Sequence, residues 1–385
     1  MMKPCSRREF MSKSLCAAAA VGAAGSLAGC PKAPVTPVNP TTEVSRVFAV
    51  RGRDLYEMAR QALAHWGGAA AMVNPGETVF IKPNLMGAGI MPGEGNMMAR
   101  GECTKMEIVM GVAEECLKAG AGKVIIGDGA QADAWSWATL PSLDGTTNYE
   151  AEAARLNTVY GDKVQLACLE SDTPAWIEVP SPYSGLGTIK VSSLVYDADK
   201  IISIPVAKTH FITKVSFSLK NFLGVSPALG ISLGSIKSRM NLHSAPGGVQ
   251  QSFVDIAAAL KPDFAVIDFS IGLEGNGPGN LGGCLSNSVD MRERLGDFLL
   301  LSSDDLVAAD ATATRVISQE PLNIKYIRLA YEQGLGQAQK DLITVEGEPL
   351  DSLVVDWKPA TFGKSIPPEA LNLPPYNPLY FPQDV

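Results

Sequence analysis

The sequence predicts an α/β protein, a mainly parallel sheet flanked by helices, placed after an N-terminal signal and a Pro-rich tether. Three observations carry that expectation. Short apolar runs alternate with amphipathic stretches of helical period. Polar or charged residues follow directly on the apolar runs, as in Ile81-Lys82-Pro83-Asn84 and Ile126-Gly127-Asp128. The first residues differ in character from everything after them.

Taken in order, residues 46–50 read as a strand and 54–66 as a helix opened by Asp54 as its N-cap. His65, beside Trp66 in that helix, reads as packing or surface. Residues 78–81 form a second strand that runs into Lys82-Pro83-Asn84-Leu85. Residues 105–118 are an amphipathic helix ending at Ala119-Gly120, and 123–126 a buried strand ending in Gly127-Asp128-Gly129. The alternation continues with a strand at 200–205, a helix at 251–260 and an apolar strand at 264–267 that closes on Asp268. A strand at 298–301 ends at Ser302-Ser303-Asp304-Asp305, and a helix covers 306–317, with Asp304 or Asp305 as its cap. From Gly363 onward Pro and Asn dominate, which predicts an irregular tail. The chain therefore divides into a signal at 1–29, a linker at 30–45 and an α/β domain with its tail at 46–385.

The signal has a charged start, then an apolar stretch at 15–28, mostly Ala and Gly, that is short and mild for a membrane span of ~20 apolar residues. Arg7 and Arg8, after Ser6 and before Glu9-Phe10-Met11, match the twin-arginine export pattern. Leu27-Ala28-Gly29-Cys30 is similar to the lipobox of bacterial lipoproteins, in which the cysteine is acylated. These residues predict export through the twin-arginine machinery and a lipid anchor on Cys30, on the extracytoplasmic (periplasmic) side of a membrane. The repeated prolines that follow make a semi-extended spacer.

Removing the four basic residues and one acidic residue of the signal from 32 and 40 leaves 28 basic and 39 acidic residues, a net charge of −11. An acidic chain of this kind is not a nucleic-acid binder. An apolar content of 46% is enough for a sizeable core. Beyond Cys30, the cysteines after the signal are Cys103, Cys116, Cys168 and Cys284, with no Cys-x-x-Cys pair, so they give little support to an iron–sulfur or zinc site; buried free thiols are the default reading, and a disulfide of unspecified connectivity is the alternative in an exported chain.

In open parallel sheets, ligands bind beyond the carboxyl ends of the strands. If the strands share one sheet, Lys82, Asn84, Asp128, Lys208, His210, Asp268 and Asp304 converge on one rim. The densest stretch runs from Pro205 to Gly224 and contains Lys208, His210, Lys220 and Asn221, with Arg239 and His243 close behind. Lysine supplies a point charge, asparagine neutral donors and histidine a switchable proton. Two of the three histidines lie here, within an acidic protein. We expect Lys208, His210 and His243 to do the chemistry, and Lys82, Asn84, Asp128, Lys220, Asn221 and Arg239 to hold an anionic ligand. Asp268, Glu274 in its glycine-rich loop, and Asp304 could instead hold a divalent metal, although no tight ligand spacing is present.

These residues resemble the family catalogued as domain of unknown function 362. The matching motifs are Ile81-Lys82-Pro83-Asn84-Leu85, Gly127-Asp128, Lys208-Thr209-His210, Leu219-Lys220-Asn221 with Gly224, Arg239 and His243, and Asp255. They continue with Ile267-Asp268, Glu274-Gly275-Asn276-Gly277-Pro278, Ser303-Asp304 and Ala308-Ala309-Asp310. The resemblance implies a shared α/β body and a shared site across roughly residues 78–315. Some relatives carry a ferredoxin-like cysteine cluster, and this chain lacks it. The expectation is an exported enzyme acting on a small anionic compound; the alternative is a non-catalytic ligand-binding protein or a maturation partner of an exported redox protein.

Overall fold

A computed structural model describes residues 40–88, 96–233, 236–279 and 286–361. Residues 1–29, Cys30 and the linker as far as residue 39, Cys284, and the tail from Gly363 lie outside the described residues. No helix among those described is long and apolar enough to cross a membrane.

The strands are β1 (Ser45–Gly52), β2 (Thr78–Pro83), β3 (Lys123–Asp128), β4 (Val164–Cys168), β5 (Trp176–Ser181), β6 (Gly187–Ser192), β7 (Lys200–Ile204), β8 (Val206–His210), β9 (Lys214–Ser216), β10 (Gly230–Leu233), β11 (Ile236–Ser238), β12 (Phe264–Gly275), β13 (Ser286–Asp290), β14 (Phe298–Ser303) and β15 (Ile343–Gly347). The main sheet has the order β15-β1-β14-β12-β7-β2-β3-β4, with β13 and β8 also pairing with β12, and β9 with β8. The β12-β7-β2-β3-β4 stretch is parallel. β14 runs antiparallel to both β12 and β1. The sheet is thus mixed but mostly parallel, the expected α/β class.

Alternate side chains of each strand leave opposite faces. Val79, Ile81, Val124, Ile126 and Ile202 pack on one face against the helices α1 (Leu55–Ala64), α2 (Met106–Lys118) and α3 (Tyr149–Tyr160). Phe80, Ile125, Ile201 and Ile267 pack on the other, with Phe253 and Val254 of Gly248–Leu260 and Val307, Ala311 and Val316 of Leu306–Val316. Near-continuous apolar strands are what a sheet covered on both faces requires.

The caps follow their chemistry. Asp54 accepts from the Glu57 amide at 3.0 Å, and Asp305, not Asp304, caps Leu306–Val316 by accepting from the Val307 and Ala308 amides at 2.9 Å. His65 is a surface residue, stacked on Phe48 and paired with Glu346. Cys103, Cys116 and Cys168 are buried free thiols.

Two strand expectations need correction. The strand that was to close on Asp268 continues to Gly275, with all twelve residues buried, because its second half finds new partners in β8 and β13. Pro205, which has no N–H, separates β7 from β8, and its carbonyl accepts from the Asp268 amide at 2.9 Å. Second, β14 enters the sheet antiparallel. Ser303 therefore stands opposite Ala265, near the start of β12, and the exposed Asp304 belongs to the rim away from the carboxyl ends of the parallel strands.

Candidate functional site

The carboxyl ends of β2, β3 and β8 bring together much of what the sequence separates. Lys82, at the end of β2, is buried and makes an ion pair with Asp128 at the end of β3. The Lys82 ammonium also donates to the Pro83 carbonyl at 2.8 Å and to Asn221 Oδ1 at 3.3 Å. Asp128 in turn accepts from the Leu85 amide at 2.7 Å, which turns the chain sharply after the strand. Burial pushes the Lys82 pKa down, and Asp128 opposes that by favouring the charged form.

Lys220 and Asn221 share a short helix, Ser218–Asn221. Its start is held by Asp310, whose carboxylate accepts from the Ser218 amide at 2.8 Å and the Leu219 amide at 3.1 Å. Its end is held by Asn221, which donates to the Lys82 carbonyl at 2.7 Å and to Ser203 Oγ at 3.1 Å. Gly224, just beyond, comes so close to the Lys82–Asp128 pair that a Cβ there would lie 2.5 Å from Asp128 Oδ1 and 3.0 Å from Lys82 Nζ.

Lys208 lies fully buried in β8 and donates to Asn84 Oδ1 at 2.9 Å and to the Glu102 carbonyl at 2.7 Å. Both acceptors are neutral. Burial pushes its pKa down to about 8. His210, two residues along the same strand, is buried and stacked on Phe211. Its Nδ1 accepts from the Ile212 amide at 3.0 Å, which leaves the proton of the neutral ring on Nε2. Burial holds the His210 pKa well below the usual value, with Lys220, His243 and Lys208 adding repulsion. His243 is half-buried and is pushed down to about 4 by burial, then by Lys220 and Arg239. Lys220 is held well below the usual lysine range by burial, then by Lys208. The charges of Lys220, His243 and Lys208 thus reach His210, and that of Lys220 reaches His243.

Arg239 is buried too, but as a clamp. It donates to the Ser226 carbonyl at 2.7 Å, the Gly129 carbonyl at 2.9 Å and Glu170 Oε1 at 2.7 Å. Those bonds tie three loops together and occupy much of the guanidinium expected to hold ligand.

The three carboxylates expected to hold a metal do not meet. Asp268 pairs with Lys105 at 3.4 Å and accepts from the Ser270 amide at 2.8 Å. Glu274 accepts from the Lys358 amide at 3.0 Å and faces Arg294 at 3.7 Å. Asp304 is on the other rim because β14 is antiparallel. No group of three His, Cys, Asp or Glu side chains among the described residues is placed to hold a metal ion. Asp255 is structural: it accepts from Ser181 Oγ, the Tyr183 and Ser184 amides and Gln251, joining Gly248–Leu260 to the β5–β6 hairpin.

Sequence reasoning missed Lys105, Glu170 and the role of Asp310. Lys105 looked like the polar start of a helix. It is instead fully buried at the N-cap, where its ammonium is matched to Asp268 and donates to the Ile271 carbonyl. Glu170 carried no signal beyond its charge.

Residues 79–315 match the sequence model of the family described as domain of unknown function (DUF362). The chain belongs to the DUF362 family. That match contains every site residue discussed above between Lys82 and Asp310. This DUF362 chain is also similar to the thylakoid-associated protein sll1697 of Synechocystis sp., at 27% identity over 302 residues, covering 78% of this chain and 81% of that protein. Two solved structures are similar to part of the chain. One is the lactate racemase apoprotein of Thermoanaerobacterium thermosaccharolyticum, with a TM-score of 0.34 and 11% identity, covering 59% of this chain and 50% of that one. The other is a protein from Thermotoga maritima, with a TM-score of 0.33 and 14% identity, covering 58% of this chain and 53% of that one. The DUF362 chain therefore spans about half the length of each of these two structures.

Proposed function

We propose that this DUF362 protein is exported, tethered to a membrane through a lipid on Cys30, and binds a small anionic compound at the Lys208–Lys220–His210–His243 cluster. The observation that carries the binding site is Lys220. Among the described residues no hydrogen-bond or ion-pair partner meets its ammonium, although the side chain is partly buried beside another lysine. A repelled cation with access to solvent is an arrangement that an anion relieves. Asn221 and Lys82 brace the helix from which Lys220 projects.

In the catalytic version of this reading, His243 carries the proton. His210 serves as a fixed N–H donor, since its Nδ1 is occupied by backbone amides. The low pKa of both rings keeps them neutral near pH 7, so neither supplies a proton there, and His243 is present as a neutral, weak base. The same neutrality favours the non-catalytic alternative, a binding protein, which needs no titrating group.

Export and tethering rest on Arg7-Arg8 and on Leu27-Ala28-Gly29-Cys30. The name of the Synechocystis relative, which places that protein at a membrane, is compatible with them.

The test is small-molecule mass spectrometry of the protein purified from its own membrane fraction, wild type beside Lys220→Gln. An anion recovered in stoichiometric amount from the wild type and lost from the variant supports the site. Recovery of the same anion from both refutes it. Loss of turnover with retention of the anion in His243→Gln would distinguish enzyme from binder.

A further inference from the structure

The chain enters the body at a fixed place. Gln337, fully buried, donates through its side-chain amide to the Thr41 carbonyl at 3.1 Å and to the Glu43 carbonyl at 3.2 Å. The Ser45 hydroxyl then donates to Asp305 Oδ2 at 2.6 Å, and the same oxygen accepts from the Gln337 amide at 2.8 Å. Slack between a lipid on Cys30 and this clasp can come only from the eleven steps between Cys30 and Thr41, which span about 40 Å at full extension.

The clasp and the candidate site lie at opposite ends of the sheet. β1 runs antiparallel to β14 and β14 antiparallel to β12, so β1 and β12 point the same way. Phe48 and Val266 both stand opposite Ser302, which sets them level. Ser45 is three residues before that level, and Gly275, the end of β12, is nine beyond it. Twelve residues of strand rise roughly 40 Å. Lys208 stands opposite Leu273, and the Phe211 amide donates to the Gly277 carbonyl at 3.1 Å, so the turn carrying His210 is at the far end. Lys82 and Asp128 close β2 and β3 on that same side.

Resting on the tether and anion-site readings, we infer that the site faces the aqueous compartment, away from the membrane that holds the lipid, and that its anionic ligand arrives dissolved rather than as the phosphate of a lipid headgroup in that membrane. Turning the site onto the bilayer would require the tether to climb the height of the sheet from the clasp, which consumes its whole reach. Full extension also costs the tether its conformational freedom, so the orientation with the clasp towards the membrane is favoured.

The experiment is fluorescence energy transfer in vesicles carrying the full lipidated chain with Cys284→Ser, and an acceptor dye on the lipid headgroups. The donor dye sits on Lys340→Cys or on Lys358→Cys, both exposed positions. Lys340 lies just before β15, whose first residue Ile343 pairs with Ser45 at the clasp end, and the Lys358 carbonyl accepts from the Gly275 amide at the site end. Transfer should be at least about twice as efficient from Lys340→Cys as from Lys358→Cys. Equal transfer, or stronger transfer from Lys358→Cys, in protein that floats with the vesicles would overturn the inference and leave the lipid anchor standing. Failure of the wild-type chain to float with the vesicles would remove the anchor and the inference together.

Discussion

Asp310 offers the sharpest quantitative test of how the site is built. It is fully buried on Leu306–Val316, and its carboxylate caps Ser218–Asn221 through the Ser218 and Leu219 amides and the Ser218 hydroxyl. Burial pushes its pKa from 3.8 up to about 7, against the downward pull of those donors. A rise of that size corresponds to roughly 4 kcal/mol. The sign follows from proton counting. Between pH 4 and pH 7 the unfolded chain has lost this proton and the folded chain keeps it, so stability falls as pH rises, then levels off. About 3 kcal/mol of that loss falls between pH 5 and pH 8. Asp310→Asn has no proton to lose. Urea unfolding of both proteins at pH 5 and pH 8 isolates the residue, since every other titrating group cancels in the difference. The variant should gain about 3 kcal/mol relative to wild type on going from pH 5 to pH 8, on top of a pH-independent loss of about 1–2 kcal/mol from the poorer cap. Parallel pH dependences for the two proteins would refute the raised pKa of Asp310.

Other perturbations follow from the same contacts. Lys82→Met strands Asp128 as a buried unpaired carboxylate and should cost about 3–5 kcal/mol in urea unfolding, most of it recovered in the double variant Lys82→Met, Asp128→Leu. Gly224→Ala puts a methyl group 2.5 Å from Asp128 Oδ1; it should destabilise by about 1–3 kcal/mol, and a neutral urea midpoint would contradict the close approach. His243, held at about 4 in the folded chain, makes the protein less stable as pH falls from the usual histidine value of 6.5 toward 4, so His243→Gln should flatten the acid limb of the stability curve. Cys30→Ser should move the exported protein from the membrane fraction to the soluble periplasmic fraction on cell fractionation, whereas unchanged membrane retention would dispose of the lipid anchor.

Much of the fold was legible because burial on both faces leaves a plain signature. The strands at Thr78–Pro83, Lys123–Asp128 and Phe298–Ser303 are short apolar runs, and the helices after Asp54 and Asp305 begin with capping carboxylates. The second half of β12 was not legible. Ser270, Gly272 and Gly275 interrupt its apolar character and read as loop, yet pairing to β13 and β8 keeps it extended. Strand direction was also hidden. A parallel pair needs a long crossover and an antiparallel pair does not, but the run from Gly275 to Phe298 is long enough for either. That ambiguity is why Asp304 was assigned to the wrong rim. Within the site, the cationic residues could be named but not sorted. Lys82, Lys208 and Lys220 look equivalent along the chain. Among the described residues, what distinguishes them is whether Asp128, a neutral oxygen or no hydrogen-bond partner meets the ammonium, and that depends on contacts across as many as 139 positions.

The sorting matters because burying a charge without its partner is a liability that stability alone would remove. Replacing Lys208 or Lys220 by an apolar side chain would relieve a repulsion felt by both and by His210. The fold instead fixes the short helix that carries Lys220 from both ends. Asp310 holds the start of its helix, while Asn221 bonds to Ser203 and the Lys82 backbone at the end. Lys82 is itself held by Asp128, and Gly224 leaves the space for that pair. The bonds hold the helix that carries Lys220, while burial and Lys208 hold the pKa of the Lys220 ammonium well below the usual lysine range. Under the proposed function, such a braced helix beside Lys82 and Asp128 is what preorganisation for an anion would require.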